Sequence, residues 1–317
     1  MNNSMSKQKR RYTTVKNVIL TAILIIAVIA CLYIERTYGK SFWFDISKKV
    51  KLNSNVIEER DKFYSHFINV GQADCTLLKC NDDVVLIDAG DVDSAFTICQ
   101  YLDSFGVKEI DYLILTHMHA DHIGSAVDIL KKYEVKNVIL SRLTEGNVPA
   151  SYLYDELLDE LNKCEAKILA ANAGDTYSLD SFSFTVLAPC REYAELNNTS
   201  VVIKAVYGNL SFLYMGDAEE KSEKDIIKSG ADLSADVLKL GHHGSNTSSS
   251  NEFLDAVAPQ LAVASCGEYN DYGHPSPETQ YKLKARNIDL YRTDTCGNIV
   301  VVCGKDSFSV VTERCFQ

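Results

Sequence analysis

From residue 63 to its end the chain alternates between short apolar runs and amphipathic stretches, and this alternation restricts its fold more than any other feature. Strand-like runs rich in β-branched and aromatic residues occur at 64–70, 75–78, 84–87, 112–115, 138–140, 182–187, 201–206, 212–214, 237–240, 262–264, 298–302 and 308–311. Helix-period stretches lie between them at 94–105, 125–133, 151–163, 219–228, 252–257 and 277–286. Many short strands with interspersed helices predict sheets covered by helices, a layered α/β domain. No fixed-period repeat or low-complexity stretch is present, and 46% hydrophobic residues with only 5 Pro exclude fibrous and disordered classes.

The first 62 residues read differently. A basic tail at 1–16 carries Lys7, Lys9, Arg10, Arg11 and Lys16, and an uncharged run of 18 residues follows at 17–34. As a helix rising 1.5 Å per residue the run reaches about 27 Å, close to the thickness of a bilayer core. The excess of positive charge before it predicts a cytoplasmic N-terminus and an exported body, hence a single-pass cell-membrane protein with an extracellular domain. A cleaved signal peptide is an alternative, as is lipoprotein processing at Val28-Ile29-Ala30-Cys31, and either also exports the body. Tyr38, Phe42, Trp43 and Phe44 read as interfacial anchors, 35–62 as a charged linker, and 63–317 as the functional domain.

Charge narrows the function. Of 32 basic and 43 acidic residues, 27 and 42 lie beyond residue 35, so the body carries a net charge of −15. Generic nucleic-acid binding needs Lys and Arg to neutralise phosphates, so a nucleic-acid substrate here would require a local basic patch or metal ions. Nine cysteines lie between Cys75 and Cys315, an odd number without a C-x-x-C pair, several inside apolar runs, and they read as buried thiols. With no P-loop and no G-x-G-x-x-G, no nucleotide cofactor is expected. No obligate protein partner is indicated.

Five of the seven histidines fall in two short stretches, Thr116-His117-Met118-His119-Ala120-Asp121-His122 and Gly241-His242-His243-Gly244-Ser245. The first leaves an apolar strand and precedes Gly124 and a helix. Alternate residues leaving a strand point the same way, so His117 and His119 can grip one metal while Asp121 and His122 reach a second point nearby. Imidazole with carboxylate suits divalent Zn, Mn or Fe.

His117-x-His119-x-Asp121-His122 resembles the signature of the metallo-β-lactamase superfamily. Leu86-Ile87-Asp88-Ala89-Gly90, Tyr214-Met215-Gly216-Asp217 and His242 follow in the order that family uses. The resemblance implies an αββα sandwich with a binuclear site of two divalent metal ions, Zn or Mn, at one edge of the sheets. It implies that Asp88 supports the metal-bound histidines, that Asp217 bridges both metals, and that His242 is the last ligand. On that reading His117, His119 and Asp217 hold the first metal, and Asp121, His122, Asp217 and His242 the second.

A narrower resemblance is to the extracellular hydrolase domain of the ComEC competence-protein family. It rests on residues 69–74, 197–200, 216–219, 239–245, 273–277 and 292–294, with Asn69 and Ala73 departing from that family's D-V-G-Q-G-D. The many membrane spans of that family are missing, so a shared catalytic module is implied and DNA transport is not. Wall-associated phosphodiesterases acting on teichoic acid are similar in the same motifs. A phosphodiester substrate, DNA or a wall polymer, is therefore implied, cleaved by a metal-bridging hydroxide.

No histidine lies between His122 and His242, so the first metal is short of the third imidazole that many superfamily members supply. Asn197, Asn198, Ser200 or water could stand there, and a richer oxygen set favours Mn over Zn. Asp121, His243 and His274 are the candidate catalytic residues. Lys239, with those two histidines, could contact the substrate phosphate or protonate the leaving oxygen. Asp74 could face the metals or cap backbone amides. Alternatives are a hydrolase of a lactam, lactone or thioester, and a metal-stabilised binding module without catalysis.

Overall fold

The computed structural model describes residue 56 and residues 58–314. The basic tail, the apolar run at 17–34, nearly all of the linker, and Cys315 lie outside the described residues. Among the described residues no helix is long and apolar enough to cross a membrane.

The described strands are β1 (Phe63–Phe67), β2 (Thr76–Cys80), β3 (Asp83–Ile87), β4 (Glu109–Leu115), β5 (Glu134–Leu140), β6 (Lys167–Ala170), β7 (Thr176–Ser178), β8 (Ser183–Ala188), β9 (Val202–Tyr207), β10 (Leu210–Tyr214), β11 (Val237–Lys239), β12 (Leu261–Ala264), β13 (Asp289–Arg292), β14 (Ile299–Cys303) and β15 (Phe308–Thr312). The helices are α1 (Ala95–Ser104), α2 (Ala120–Ile123), α3 (Ala126–Lys132), α4 (Tyr152–Leu161), α5 (Glu220–Ser229), α6 (Asn251–Val257), α7 (Pro277–Ala285) and α8 (Thr293–Cys296).

The strands form two sheets, ordered β15-β14-β1-β2-β3-β4-β5-β6 and β13-β12-β11-β10-β9-β8-β7. Each is mixed: hairpin-connected antiparallel strands occupy one part, and β3 to β6 or β10 to β13 run parallel in the other. The two-residue period of the strands divides side chains between two cores. In β10, Phe212 and Tyr214 enter the inter-sheet core with Phe67, Val85, Ile114 and Ile139, while Leu213 turns outward. Val237 and Val263 also face the partner sheet. Leu238, Ala262 and Ala264 meet Ile226 of α5, Phe253 and Leu254 of α6, and Leu283 of α7. The sandwich with outer helices agrees with the expected layered architecture.

Three strands escaped the sequence reading. β6 and β7 close the free edges and are largely exposed, so they lack apolar alternation, and β13 is the opposite edge of its sheet. All eight described cysteines are free, and Cys75, Cys80, Cys266 and Cys303 are buried. The end of the predicted linker packs on the domain: Glu58 pairs with Lys79, and the Glu59 amide donates to Tyr64 Oη at 2.6 Å.

The parallel strands place chemistry at their C-terminal ends, where open α/β sheets bind ligands. Asp88 follows β3 and Thr116 to His122 follow β4, while Asp217 follows β10 and His242 and His243 follow β11. The two sheets thus bring residues about a hundred positions apart in sequence to one rim.

Candidate metal centre

The rim begins with Asp88. Its backbone is left-handed (φ 60°), its carboxylate is buried, and it accepts from the Thr116 amide and hydroxyl, each at 2.8 Å. The same carboxylate lies 2.8 Å from His122 Nδ1, which makes Nδ1 the protonated nitrogen and aims bare Nε2 inward. His122 Nε2 faces Asp217 Oδ1 at 3.3 Å and Asp121 Oδ2 at 3.8 Å. Asp217 is buried, and its amide donates to Ser200 Oγ at 3.0 Å. Gly216 just before it has φ +51°, and a Cβ there would lie 2.9 Å from Thr116 Cβ, so only glycine lets the two strand ends approach this closely.

Two donor clusters share Asp217. One contains Asp121, His122, Asp217 and His243, the other His117, His119 and Asp217, and within each cluster the donor atoms all lie within 4.8 Å of one another. His117 Nε2 lies 2.9 Å from His119 Nδ1 and 3.8 Å from Asp217 Oδ2. Two imidazole nitrogens this close need a proton or a cation between them. His122 Nε2 and Asp217 Oδ1 are also buried without a hydrogen-bond partner. Buried polar atoms are rarely left unpaired, and this set of carboxylates and bare imidazole nitrogens fits divalent cations of the Zn or Mn class.

The two adjacent histidines separate. His242 and His243 both have left-handed backbone (φ 49° and 54°), a conformation costing of order 1–3 kcal/mol each unless the surroundings impose it. The His242 amide donates to the Gly216 carbonyl at 3.0 Å, anchoring the turn beside Asp217. His243, and not His242, joins Asp121 and His122: its Nε2 lies 3.2 Å from Asp121 Oδ2 and 3.7 Å from Asp217 Oδ1. This corrects the sequence assignment, because the left-handed turn swings the second imidazole inward. His242 Nε2 lies 3.8 Å from Asp217 Oδ2, the oxygen that His117 also faces, so a third imidazole stands beside the cluster of His117 and His119. Thr247 Oγ1, 3.0 Å from His242 Nδ1, and Glu219 Oε1, at 3.4 Å, hold the ring. Glu219 lies in the 216–219 stretch already singled out, whereas Thr247 carried no sequence signal of its own.

Lys239 is also corrected. It is buried, pairs with Asp74 Oδ2 at 2.6 Å and donates to the Leu240 carbonyl at 3.0 Å, which removes it from the substrate surface. Asp74 does not cap a turn: its other oxygen lies 3.2 Å from His243 Nδ1. Asn198 is turned away as well, its amide engaging Glu219 and its carbonyl oxygen accepting from the Ser222 amide at 3.2 Å at the start of α5. Asn197 remains on the pocket wall, 3.5 Å from His242 Nδ1.

Carboxylates dominate the electrostatics. Burial opposes the charge of Asp217, but His122, His243 and His117 hold its carboxyl well below the usual range. Burial likewise opposes protonation of His243, yet Asp217, Asp74 and Asp121 raise it to about 10. His117, buried and next to His122, is pushed well below the usual imidazole value. A cavity of about 340 Å³ opens over the clusters, lined by His119, Asp121, Asn197, Asp217, His242, His243 and His274, with Gln72 and Tyr272 at its side.

The metallo-β-lactamase superfamily model matches residues 68–159. ComE operon protein 3 of Bacillus subtilis is 34% identical over 200 residues, covering 63% of this chain and 25% of that protein. Competence protein ComA of Neisseria gonorrhoeae is 33% identical over 255 residues, covering 78% of this chain and 33% of that protein. The chain thus spans a quarter to a third of the length of these curated relatives. A solved structure titled CmlA beta-hydroxylase E377D mutant superposes with a TM-score of 0.51 at 14% identity, covering 75% of this chain and 53% of that one, a likeness of fold alone. The signature histidines thus stand at the strand ends of a two-sheet sandwich whose residues 68–159 match the metallo-β-lactamase superfamily model, in a chain similar to part of the competence proteins.

Proposed function

We propose that this domain is a binuclear metal-dependent phosphodiesterase acting on DNA or a wall polymer, held at the outer face of the cell membrane by residues 17–34. The observation that carries the reading is the pair of donor clusters sharing Asp217 at the floor of one cavity, with His122 Nε2 and Asp217 Oδ1 buried and unpartnered among them. His117, His119 and Asp217, with His242 beside them, would hold one cation, and Asp121, His122, Asp217 and His243 the other. Paired divalent cations lower the pKa of water and neutralise the charge of a phosphoryl group.

The chain's own residues prepare that chemistry. Asp88 fixes the orientation of His122 through its Nδ1, and His243 Nδ1 is held by the Ser265 carbonyl at 3.0 Å with Asp74 Oδ1 at 3.2 Å beside it. Gln72 Oε1 accepts from the Gly267 amide at 3.0 Å, which turns its NH2 group toward His274 Nδ1 at 3.4 Å. The proton of neutral His274 then sits on Nε2, where it can be donated as a hydrogen bond to a phosphoryl oxygen or leaving group. Burial and the neighbouring His243 and His242 lower His274 to about 4, so its neutral form serves at neutral pH.

The test is turnover of bis-(p-nitrophenyl) phosphate against a β-lactam, a lactone and a thioester, with Mn and with Zn, alongside metal analysis. Phosphodiester cleavage lost in Asp121→Ala supports the proposal. Preferred cleavage of another bond class, or two bound metals with no turnover of any ester, overturns it in favour of another hydrolase or a binding module.

A further inference from the structure

Tyr272 is 74% exposed although it borders the cavity over the donor clusters. Its ring stacks on His274 with centroids 5.6 Å apart and planes at 23°, and His274 in turn packs on His242 at 5.4 Å and on His243 at 6.2 Å. One face of the tyrosine is therefore covered by the aromatic column that leads to the clusters, and the other is open to solvent.

The loop carrying it is fixed. The Asn270 side chain donates to the Gly267 carbonyl at 3.0 Å and the His274 carbonyl at 2.8 Å and accepts from the His274 amide at 2.9 Å, while Gln72 ties Gly267 to the other sheet. An exposed aromatic on a loop stapled this way loses little entropy when it binds a ring. Equally telling is what the cavity wall lacks: none of its lining residues is Lys or Arg. With no Lys or Arg on the wall to grip the parts of a substrate beyond the reacting phosphate, a flat ring at its side can add affinity there by stacking.

Resting on the phosphodiesterase reading, we infer that Tyr272 is a specificity-determining residue whose open face stacks on a nucleobase attached to the scissile phosphodiester. Aromatic stacking is indifferent to base identity, so the preference is for a base as such and not for a sequence. The wall-polymer branch of the proposed function, built on glycerol or ribitol phosphate without planar rings, would gain nothing from this residue.

Two measurements on the full chain test it. In the first, kcat/KM for thymidylyl-thymidine is compared with that for its abasic counterpart and for a glycerol phosphodiester. Tyr272→Ala should shrink the preference for the base-bearing substrate about 5- to 150-fold, Tyr272→Phe should keep it, and Tyr269→Ala, an exposed tyrosine outside the cavity lining, should leave it unchanged. In the second, saturation-transfer NMR on the metal-free chain compares thymidine monophosphate with 2-deoxyribose 5-phosphate. Transfer to the thymine protons that Tyr272→Ala abolishes supports the stacking role even if no diester is hydrolysed, in which case only the phosphodiesterase reading falls. Equal preference ratios in wild type and Tyr272→Ala, or a thymine signal unaffected by the substitution, overturns it.

Discussion

Asp88→Asn offers the sharpest probe of how the rim is held. The wild-type carboxylate is 1% exposed and receives three hydrogen bonds of 2.8 Å, from the Thr116 amide, the Thr116 hydroxyl and His122 Nδ1. Asparagine is nearly isosteric but has one acceptor oxygen. The Thr116 amide can only donate, so it claims that oxygen, and the new NH2 group falls where His122 Nδ1 lies. There it donates to Nδ1, and the imidazole proton moves to Nε2, the atom 3.3 Å from Asp217 Oδ1. A protonated Nε2 cannot bind a cation. Removing such a supporting partner costs about 10- to 100-fold in metal affinity, or roughly 1.4–2.7 kcal/mol. Losing a charge-assisted hydrogen bond costs about 1.5–3 kcal/mol of folding stability. Calorimetric titration of the metal-free variant with Zn and with Mn, beside urea unfolding of the same sample, measures both. A variant that is less stable but binds both cations with unchanged Kd would refute the tautomer argument and reduce Asp88 to a packing role.

Other perturbations follow from the same structure. Lys239→Met leaves the Asp74 carboxylate buried without its cation and should cost about 3–5 kcal/mol in urea unfolding, much of it recovered in Lys239→Met/Asp74→Asn. Gly124→Ala would bring a Cβ within 2.2 Å of the Asp91 carbonyl carbon and 2.3 Å of the Val92 nitrogen, both backbone. The turn carrying His119 to His122 must then shift, with a stability loss at or above the usual 1–3 kcal/mol of overpacking and weaker metal binding by calorimetry. Adding Zn or Mn at a hundred times its Kd should stabilise the chain by about 2.7 kcal/mol in thermal or chemical unfolding, and Asp217→Asn should remove most of that gain. His66 is buried, and burial with the nearby Lys79 charge lowers its pKa from 6.5 to about 3. The unfolded chain then binds the extra proton, so stability present above pH 6.5 is lost on acidification at about 1.4 kcal/mol per pH unit. Between pH 7 and 5, His66→Gln should lose about 2 kcal/mol less than the wild type in chemical denaturation.

Most of the fold was legible in residue order because each buried strand carries its own apolar signal. The run 212–214 and the histidine signature that follows 112–115 sit where the periodicity placed them, at strand ends. Edge strands such as Thr176–Ser178 were not legible, since three residues with a single inward ring, Tyr177, between two exposed neighbours make no hydrophobic pattern. Within the site, Asp88 could be assigned as the support of His122 because its family motif encodes a strand end, and the geometry agrees. Tyr272 and Thr247 could not be, because their importance lies only in what they touch.

The amino-acid order by itself determined the layered α/β class, the acidic body and the stretches that supply imidazoles and carboxylates, because those properties are local. Only the tertiary structure decided which histidine of the pair goes where. Two identical neighbours carry no information about direction, and it is the left-handed turn at His242 and His243, imposed by the Gly216 carbonyl and by Asp74 beneath, that sends one ring to Asp121 and the other toward the oxygen facing His117. The same folding buries Lys239 and exposes Tyr272, because long-range packing, and not the side chain's own chemistry, chooses which groups meet solvent.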